Sequence, residues 1–265
     1  MNEMGPIIAA AERAYSKGNK EIVKEIMKII VFSDIDLNSI ENQKNMLIII
    51  RCLVHLLDQS MVDSCDPEKS KIFQQAQGLL QKALTLMKGL EKQHLDIAEA
   101  DWFTKVSWNF ALSSDESNEL TKSSIFYGLV ISFSSLLDDS DNLNLVLYAY
   151  YASITKLIEL ARREPSEQDG HINSAKELLG KFKILPREKI LNSIPDLDST
   201  IILLELEVDI LTFNWSKITT LAQNVFQSSS IEVIKGICNK VVLDQDVPSG
   251  VIYIVVKVSN FFLIA

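Results

Sequence analysis

The stretch SCDPEKSKIFQQAQGLLQKALTLM, residues 64–87, carries the clearest structural pattern in the chain. Asp66 is a suitable helix N-cap, Pro67 suits the first helical position, and Glu68 suits the positive end of the helix dipole. Beyond these signals, apolar residues recur at spacings of three and four, which predicts one buried face of an amphipathic helix. That face consists of Ile72, Phe73, Ala76, Leu79, Leu80, Ala83, Leu84 and Met87.

Similar helical patterns cover nearly the whole chain and are separated by short polar breaks. They predict a short helix near the start, one carrying Phe126 and Phe133, and others over 20–32, 41–58, 96–112, 143–162, 172–183, 186–193, 198–213, 216–227 and 230–243. With only 9 glycines and 6 prolines, the chain lacks the turn residues of an all-β fold. We therefore predict an all-α fold, a TPR-like α-solenoid of degenerate helical hairpins. Strict tetratricopeptide spacing is not met, because no register of about 34 residues persists.

The expected domain organisation is one helical repeat domain over residues 1–245 and an apolar segment over 246–265. The run VIYIVVKVSNFFLIA in that segment contains Lys257 and is shorter than the roughly 20 apolar residues of a membrane helix. Its β-branched residues would also allow a strand. Because a solenoid normally ends in a polar capping helix, we expect this segment to begin a further repeat of a longer chain.

Charge and cysteine content narrow the classes of partner. The formal net charge is −9, and the lysines are spread among acidic residues, so direct binding to nucleic acid is not expected. The three cysteines, Cys52, Cys65 and Cys238, form no CxxC pair, which favours reduced thiols over a disulfide framework or a zinc site. No membrane segment and no secretory signal is recognised.

No pattern in the sequence predicts catalysis. His55, His94 and His171 are far apart, so neither HExxH nor HxxxH occurs, and His171 is expected to be solvated in a polar loop beside the stretch EPSEQDG. Phosphate-binding glycine loops and the GxSxG nucleophile motif are also absent. We therefore expect no enzyme activity and no catalytic, cofactor or metal site.

The stretch DWFTKVSWNFALSS, residues 101–114, holds two tryptophans on one predicted helix. A nucleic-acid stacking surface would interleave basic residues with the aromatic ones, and only Lys105 does so here. A ligand cage requires convergent rings, whereas helical geometry places Trp102 and Trp108 on different sides. We therefore predict that both tryptophans are core residues of a helix wedged between its hairpin partner and the next repeat.

The runs WFTKVSWNFAL, SSIFYGLVISFSSLL and NLNLVLYAYYASITKLIEL together resemble the meiotic Zip-four / Spo-twenty-two-like family of TPR-like scaffold proteins. The resemblance is clearest over residues 96–180 and extends more loosely to about 245, while members of that family are longer than this chain. The residues that carry it are Trp102, Trp108, Asn109, Ala111, Phe126, Phe133, Leu136, Leu145, Tyr148, Ala149 and Ala152.

The resemblance implies a non-enzymatic scaffold that acts in the nucleus, on meiotic chromosomes. Such a protein would couple synaptonemal-complex assembly to crossover formation through contacts with meiotic synapsis and crossover factors, without cofactors. It also suggests that the Asn109 amide bonds to the backbone of a neighbouring helix. The alternative is a general TPR-like adaptor or complex subunit unrelated to meiosis, although the Lys/Asn pattern of a chaperone adaptor's carboxylate clamp is not found.

Overall fold

A computed structural model of the chain describes Arg13, Lys17 and residues 20–32, 37, 39–61, 64, 66–137, 142–185, 197–225 and 231–264. Every regular element within these residues is helical, which confirms the predicted all-α class. The predicted short helix near the start and the one over 186–193 lie outside the described residues, apart from Arg13.

The α-helices follow one another closely, and where bounds were predicted they agree to within a few residues. They are α1 (Lys20–Phe32), α2 (Ile40–Met61), α3 (Asp66–Gly89), α4 (Ile97–Glu116), α5 (Leu120–Ser134), α6 (Leu143–Arg163), α7 (Gln168–Lys183), α8 (Leu197–Leu211), α9 (Trp215–Val225), α10 (Ile231–Leu243) and α11 (Ser249–Ile264). A single 3₁₀ turn, Lys92–His94, lies between α3 and α4.

The chain divides into two compact units. The first unit, Met1–Asp139, contains α1 to α5, and the second unit, Ser140–Ala265, contains α6 to α11. The domain expected over residues 1–245 thus includes all of the first unit and most of the second. The apolar segment expected over 246–265 lies within the second unit.

In the first unit, helices that are adjacent in sequence form pairs. α2 pairs with α3 and α4 with α5, and short connections make each pair an antiparallel hairpin. The two hairpins also touch each other, α2 against α4 and α3 against both α4 and α5. Fully buried phenylalanine rings from three of these helices form the centre of this unit: Phe73, Phe103, Phe110, Phe126 and Phe133.

The apolar face predicted from residues 64–87 is the buried face of α3. Seven of its eight residues are buried, whereas Leu84 is half-buried and Leu86 is buried instead. Burying a side chain of the size of Leu, Ile, Phe or Met contributes about 1.5–3 kcal/mol relative to leaving it in water, so this face stabilises the packing of α3.

The second unit repeats this pairing. α6 pairs with α7, α8 with α9 and α10 with α11, while α6 also packs on α8, α8 on α10 and α9 on α11. The apolar C-terminal segment is helical here, with Val251 and Val255 of α11 buried in the core of this unit. None of the helices in the described part of the chain is long and apolar enough to cross a membrane.

Two helices end in the same kind of tight turn. After α4, Asn118 has a φ of 56°, Glu119 N–H donates to Ser114 O, and Asn118 N–H donates to Asp115 O. This is the Schellman pattern, in which a left-handed residue closes the helix. After α8, the left-handed residue is Phe213, with a φ of 54°. Both turns reverse the chain directly, which brings α5 back onto α4 and α9 back onto α8.

Candidate functional site

The two tryptophans of α4 lie on different sides of the helix, as their spacing predicts. The Trp108 ring meets Tyr127 of α5 edge-on, with centroids 5.4 Å apart, and the Arg51 guanidinium of α2 lies 4.9 Å from the Trp102 ring centroid. Their rings therefore do not form a cage. Both tryptophans are only half-buried, however, and the fully buried aromatic residues of α4 are Phe103 and Phe110. The prediction that the tryptophans themselves form the core was wrong in this respect.

The residues that carry the family resemblance differ widely in exposure. Ala111, Phe126 and Phe133 are buried, Ala152 is half-buried, and Asn109 and Tyr148 are exposed. The Asn109 amide bonds to none of the described residues. The prediction that it bonds to the backbone of a neighbouring helix was therefore wrong. These residues are distributed over both compact units.

A cleft of about 180 Å³ lies in the second unit. Its walls come from three helices, α6, α8 and α10, so it is named the α6–α8–α10 cleft. It contains aliphatic, hydroxyl and charged side chains in one small space. The lining residues are Tyr151, Thr155 and Ile158 of α6, Thr200, Leu203, Leu204 and Glu207 of α8, and Lys240 of α10.

Two residues of the cleft wall, Glu207 and Lys240, belong to a network of four charged side chains. Arg162 Nη2 donates to Glu207 Oε2 at 2.5 Å and lies 3.3 Å from Asp244 Oδ2, while Lys240 Nζ donates to Glu207 Oε1. The carboxylates are the covered members of this network. The Glu207 and Asp244 side chains are 10% and 17% exposed, against 43% for Arg162 and 39% for Lys240. The network therefore presents its cations to solvent.

The environment of Lys240 disfavours its charged form. Burial lowers the pKa of the Lys240 amine below its ordinary value, and the nearby Arg162 charge lowers it further, while Asp244 acts in the opposite direction. An additional negative group at the cleft would stabilise the Lys240 ammonium.

Arg162 has hydrogen-bonding capacity left. Both of its bonds leave from Nη2, and no acceptor in the described part of the chain is bonded to its Nε or Nη1. These two N–H groups form one edge of a planar guanidinium, which is the geometry that binds a carboxylate through two parallel hydrogen bonds.

His171 does not lie in a solvated loop, so that prediction was wrong. It lies in the first turn of α7 with a side chain only 16% exposed, and its Nε2 is 3.0 Å from Glu164 Oε2 and 3.9 Å from Glu167 Oε2. Donor atoms of these three residues lie within 4.8 Å of one another, close enough to hold a metal ion. The Glu167 side chain is 73% exposed, and nothing else at this turn points to an ion.

The α6–α8–α10 cleft was not predicted from the sequence. Arg162 is 45 positions from Glu207, and Glu207 is 33 positions from Lys240, so no short motif connects them. Two weak features of the sequence could have pointed to it. Glu207 lies within the apolar run of α8, and the apolar residues of α6 cover more than one side of that helix.

The comparisons with known proteins add no relative. No protein-family model matches the chain, and no curated protein or solved structure is significantly similar to it. The expected absence of enzyme activity therefore stays a prediction.

Proposed function

We propose that the chain is a non-enzymatic, TPR-like helical scaffold that binds other proteins. The order of helix contacts within each unit supports this. α2 packs on α4 and α3 on α5 in the first unit; α6 packs on α8 and α8 on α10 in the second. First helices of successive hairpins therefore meet one another within each unit, which supports a stacked helical-repeat arrangement.

The observation that carries the proposal is the origin of the α6–α8–α10 cleft. Its three helices are the first helices of three successive hairpins, and Tyr151 at its wall is 45% exposed. In stacked repeats, the helices on one side form the surface that takes up a partner. A partly exposed tyrosine is also typical of the residues that dominate protein–protein interfaces.

We further propose that this scaffold acts in meiosis, in the nucleus and on chromosomes, where it couples synapsis factors to crossover factors. This part of the proposal rests on the sequence resemblance over residues 96–180. The net charge of −9 also favours partners that are proteins rather than DNA.

Localisation of the tagged endogenous protein on spread meiotic nuclei tests the meiotic part. Foci along paired chromosome axes, absent from non-meiotic cells, are the expected result. A constitutive cytoplasmic signal would overturn the meiotic assignment and favour the general adaptor.

The scaffold part is tested by cross-linking mass spectrometry of the tagged protein in cells. Reproducible cross-links from α6, α8 or α10 to another protein are expected, and cross-links to none would contradict a scaffold.

A further inference from the structure

We propose that the α6–α8–α10 cleft binds an extended segment of a partner protein in which a carboxylate side chain follows an aliphatic or aromatic one. The inference rests on the proposed scaffold function and adds the chemistry of the partner. It is derived from the size of the cleft, the exposure of its charges and the unused donors of Arg162.

The size of the cleft favours inserted side chains. A volume of about 180 Å³ is below the roughly 300 Å³ at which sites for small organic ligands begin. Ile158, Leu203 and Leu204 provide an aliphatic wall for one apolar side chain. An extended segment can place one such side chain in the cleft while its backbone stays at the surface.

Hydroxyl groups are available for the backbone of that segment. Tyr151 and Thr200 line the cleft, and their hydroxyls bond to none of the residues that the structure describes. Thr155 Oγ1 donates to Tyr151 O at 2.9 Å and keeps its lone pairs free to accept. The cleft thus offers donors and acceptors for peptide N–H and C=O groups beside an apolar wall.

Charge complementarity selects an acidic residue in the segment. Arg162 and Lys240 are the more exposed members of the network, and the carboxylates of Glu207 and Asp244 are the more buried ones. The Nε and Nη1 edge of Arg162 suits a bidentate carboxylate, which would complete the guanidinium's hydrogen bonds without breaking those to Glu207 and Asp244. A basic residue at the same place would offer no acceptor to the free edge of Arg162.

The test uses an immobilised library of synthetic peptides with two adjacent variable positions. The first position is Leu, Ile or Phe, and the second is Asp, Glu, Asn, Gln or Lys, in a constant Gly/Ser frame. Because the amides match the acids in shape, the comparison isolates charge. We expect the full chain to bind the acidic members about tenfold more tightly than their amide partners, a difference of about 1.4 kcal/mol. Equal binding of acids and amides, a preference for lysine, or no binding would each overturn the inference.

Matched variants locate the binding. Arg162→Lys keeps the charge and removes the planar edge, so we expect the preference for acids over amides to fall by about tenfold. Arg163→Lys is its control, because Arg163 is exposed and, among the described residues, pairs with Glu159 alone. Tyr151→Ala should weaken binding of all members, whereas Tyr148→Ala, outside the cleft on the same helix, should not. Equal effects within either pair of variants would show that the peptides bind elsewhere.

The two proposals fail in distinguishable ways. If the library shows no acidic preference while cross-links from α6, α8 or α10 to a partner are found, the partner chemistry is wrong and the scaffold stands. If acidic peptides bind and the tagged protein cross-links to nothing in cells, the scaffold function fails and the cleft chemistry remains.

Discussion

The Tyr127 hydroxyl of α5 donates a 2.9 Å hydrogen bond to Oδ2 of Asp115 in α4. Ser123 Oγ donates to the other oxygen of the same carboxylate at 2.6 Å, so Asp115 ties the end of α4 to the start of α5. The Trp108 ring of α4 contacts the Tyr127 ring edge-on. The stretch of residues 101–114 thus has an architectural role, because it helps to pack α4 against α5 in this hairpin.

Tyr127→Phe removes the hydroxyl and keeps the ring that contacts Trp108. We expect it to lower the free energy of unfolding by about 1–2 kcal/mol, because a hydrogen bond to a charged acceptor is lost from a buried position. Urea unfolding followed by circular dichroism measures the loss. Tyr148→Phe, at a 54% exposed position, is the control and should change stability by less than about 0.5 kcal/mol. Equal effects of the two variants would contradict the role of the Tyr127–Asp115 bond.

The same tyrosine predicts a pH dependence. Burial, the hydrogen bond to Asp115 and the Asp115 charge all raise the pKa of Tyr127. Since the folded pKa lies above the unfolded value of about 10, the contribution of Tyr127 is fully present below pH 10 and is lost as pH rises further. The stability difference between wild type and Tyr127→Phe should therefore shrink above pH 10, by at most about 1.4 kcal/mol per pH unit. Unfolding measured at several pH values from neutral to alkaline tests this; a difference that stays constant argues against the shift.

Truncating the aromatic residues of α4 should distinguish the core from its edge. Phe110 is 1% exposed, and its ring stacks on that of Phe126 with centroids 5.4 Å apart. Phe110→Ala should therefore lower the free energy of unfolding by about 3–5 kcal/mol. Trp108 is only half-buried, and Trp108→Ala should cost less, about 1–3 kcal/mol. The comparison is made by urea unfolding under identical conditions. If Trp108→Ala proves the more destabilising variant, the tryptophan is the core residue after all.

The network beside the α6–α8–α10 cleft should stabilise the second unit through Glu207. Glu207→Gln removes the charge that pairs with Arg162 and Lys240, and we expect a loss of about 1–3 kcal/mol. Glu159→Gln is the control, because it removes the carboxylate that pairs with Arg163 one turn further along α6. It should lower the free energy of unfolding by less than about 0.5 kcal/mol. Thermal unfolding of both variants gives the comparison. A Glu207→Gln protein as stable as the Glu159→Gln protein would show that the network contributes nothing.

The start of α4 offers a test of helix capping. Asp96 Oδ1 accepts hydrogen bonds from Ala98 N–H at 2.9 Å and Glu99 N–H at 3.4 Å. Asp96→Ala should therefore destabilise the protein by about 0.5–2 kcal/mol. Glu119 occupies the same position before α5 without a side-chain cap, so Glu119→Ala is the matched control. Chemical denaturation of the pair decides whether the cap is effective.

The sequence by itself determined most of the helices and the buried face of α3, because residues spaced like Ile72, Phe73 and Ala76 share one face of any helix. It also placed Trp102 and Trp108 on different sides of α4 for the same reason. The depth of burial was not accessible in this way, since it depends on what the neighbouring helices place opposite each ring. Phe103 stacks on Phe133 of α5 and is buried, while Trp108 meets the edge of Tyr127 and stays half-buried.

Only the tertiary structure brought together side chains from different helices. Arg162, Glu207 and Lys240 meet because α6, α8 and α10 pack side by side, and no local rule predicts which ridges of these helices align. His171 contacts Glu164 because the turn after α6 folds the chain back at once. Periodicity within a helix follows from the backbone, whereas a site between helices requires long-range packing, so the sequence determined the elements and the tertiary structure determined the cleft.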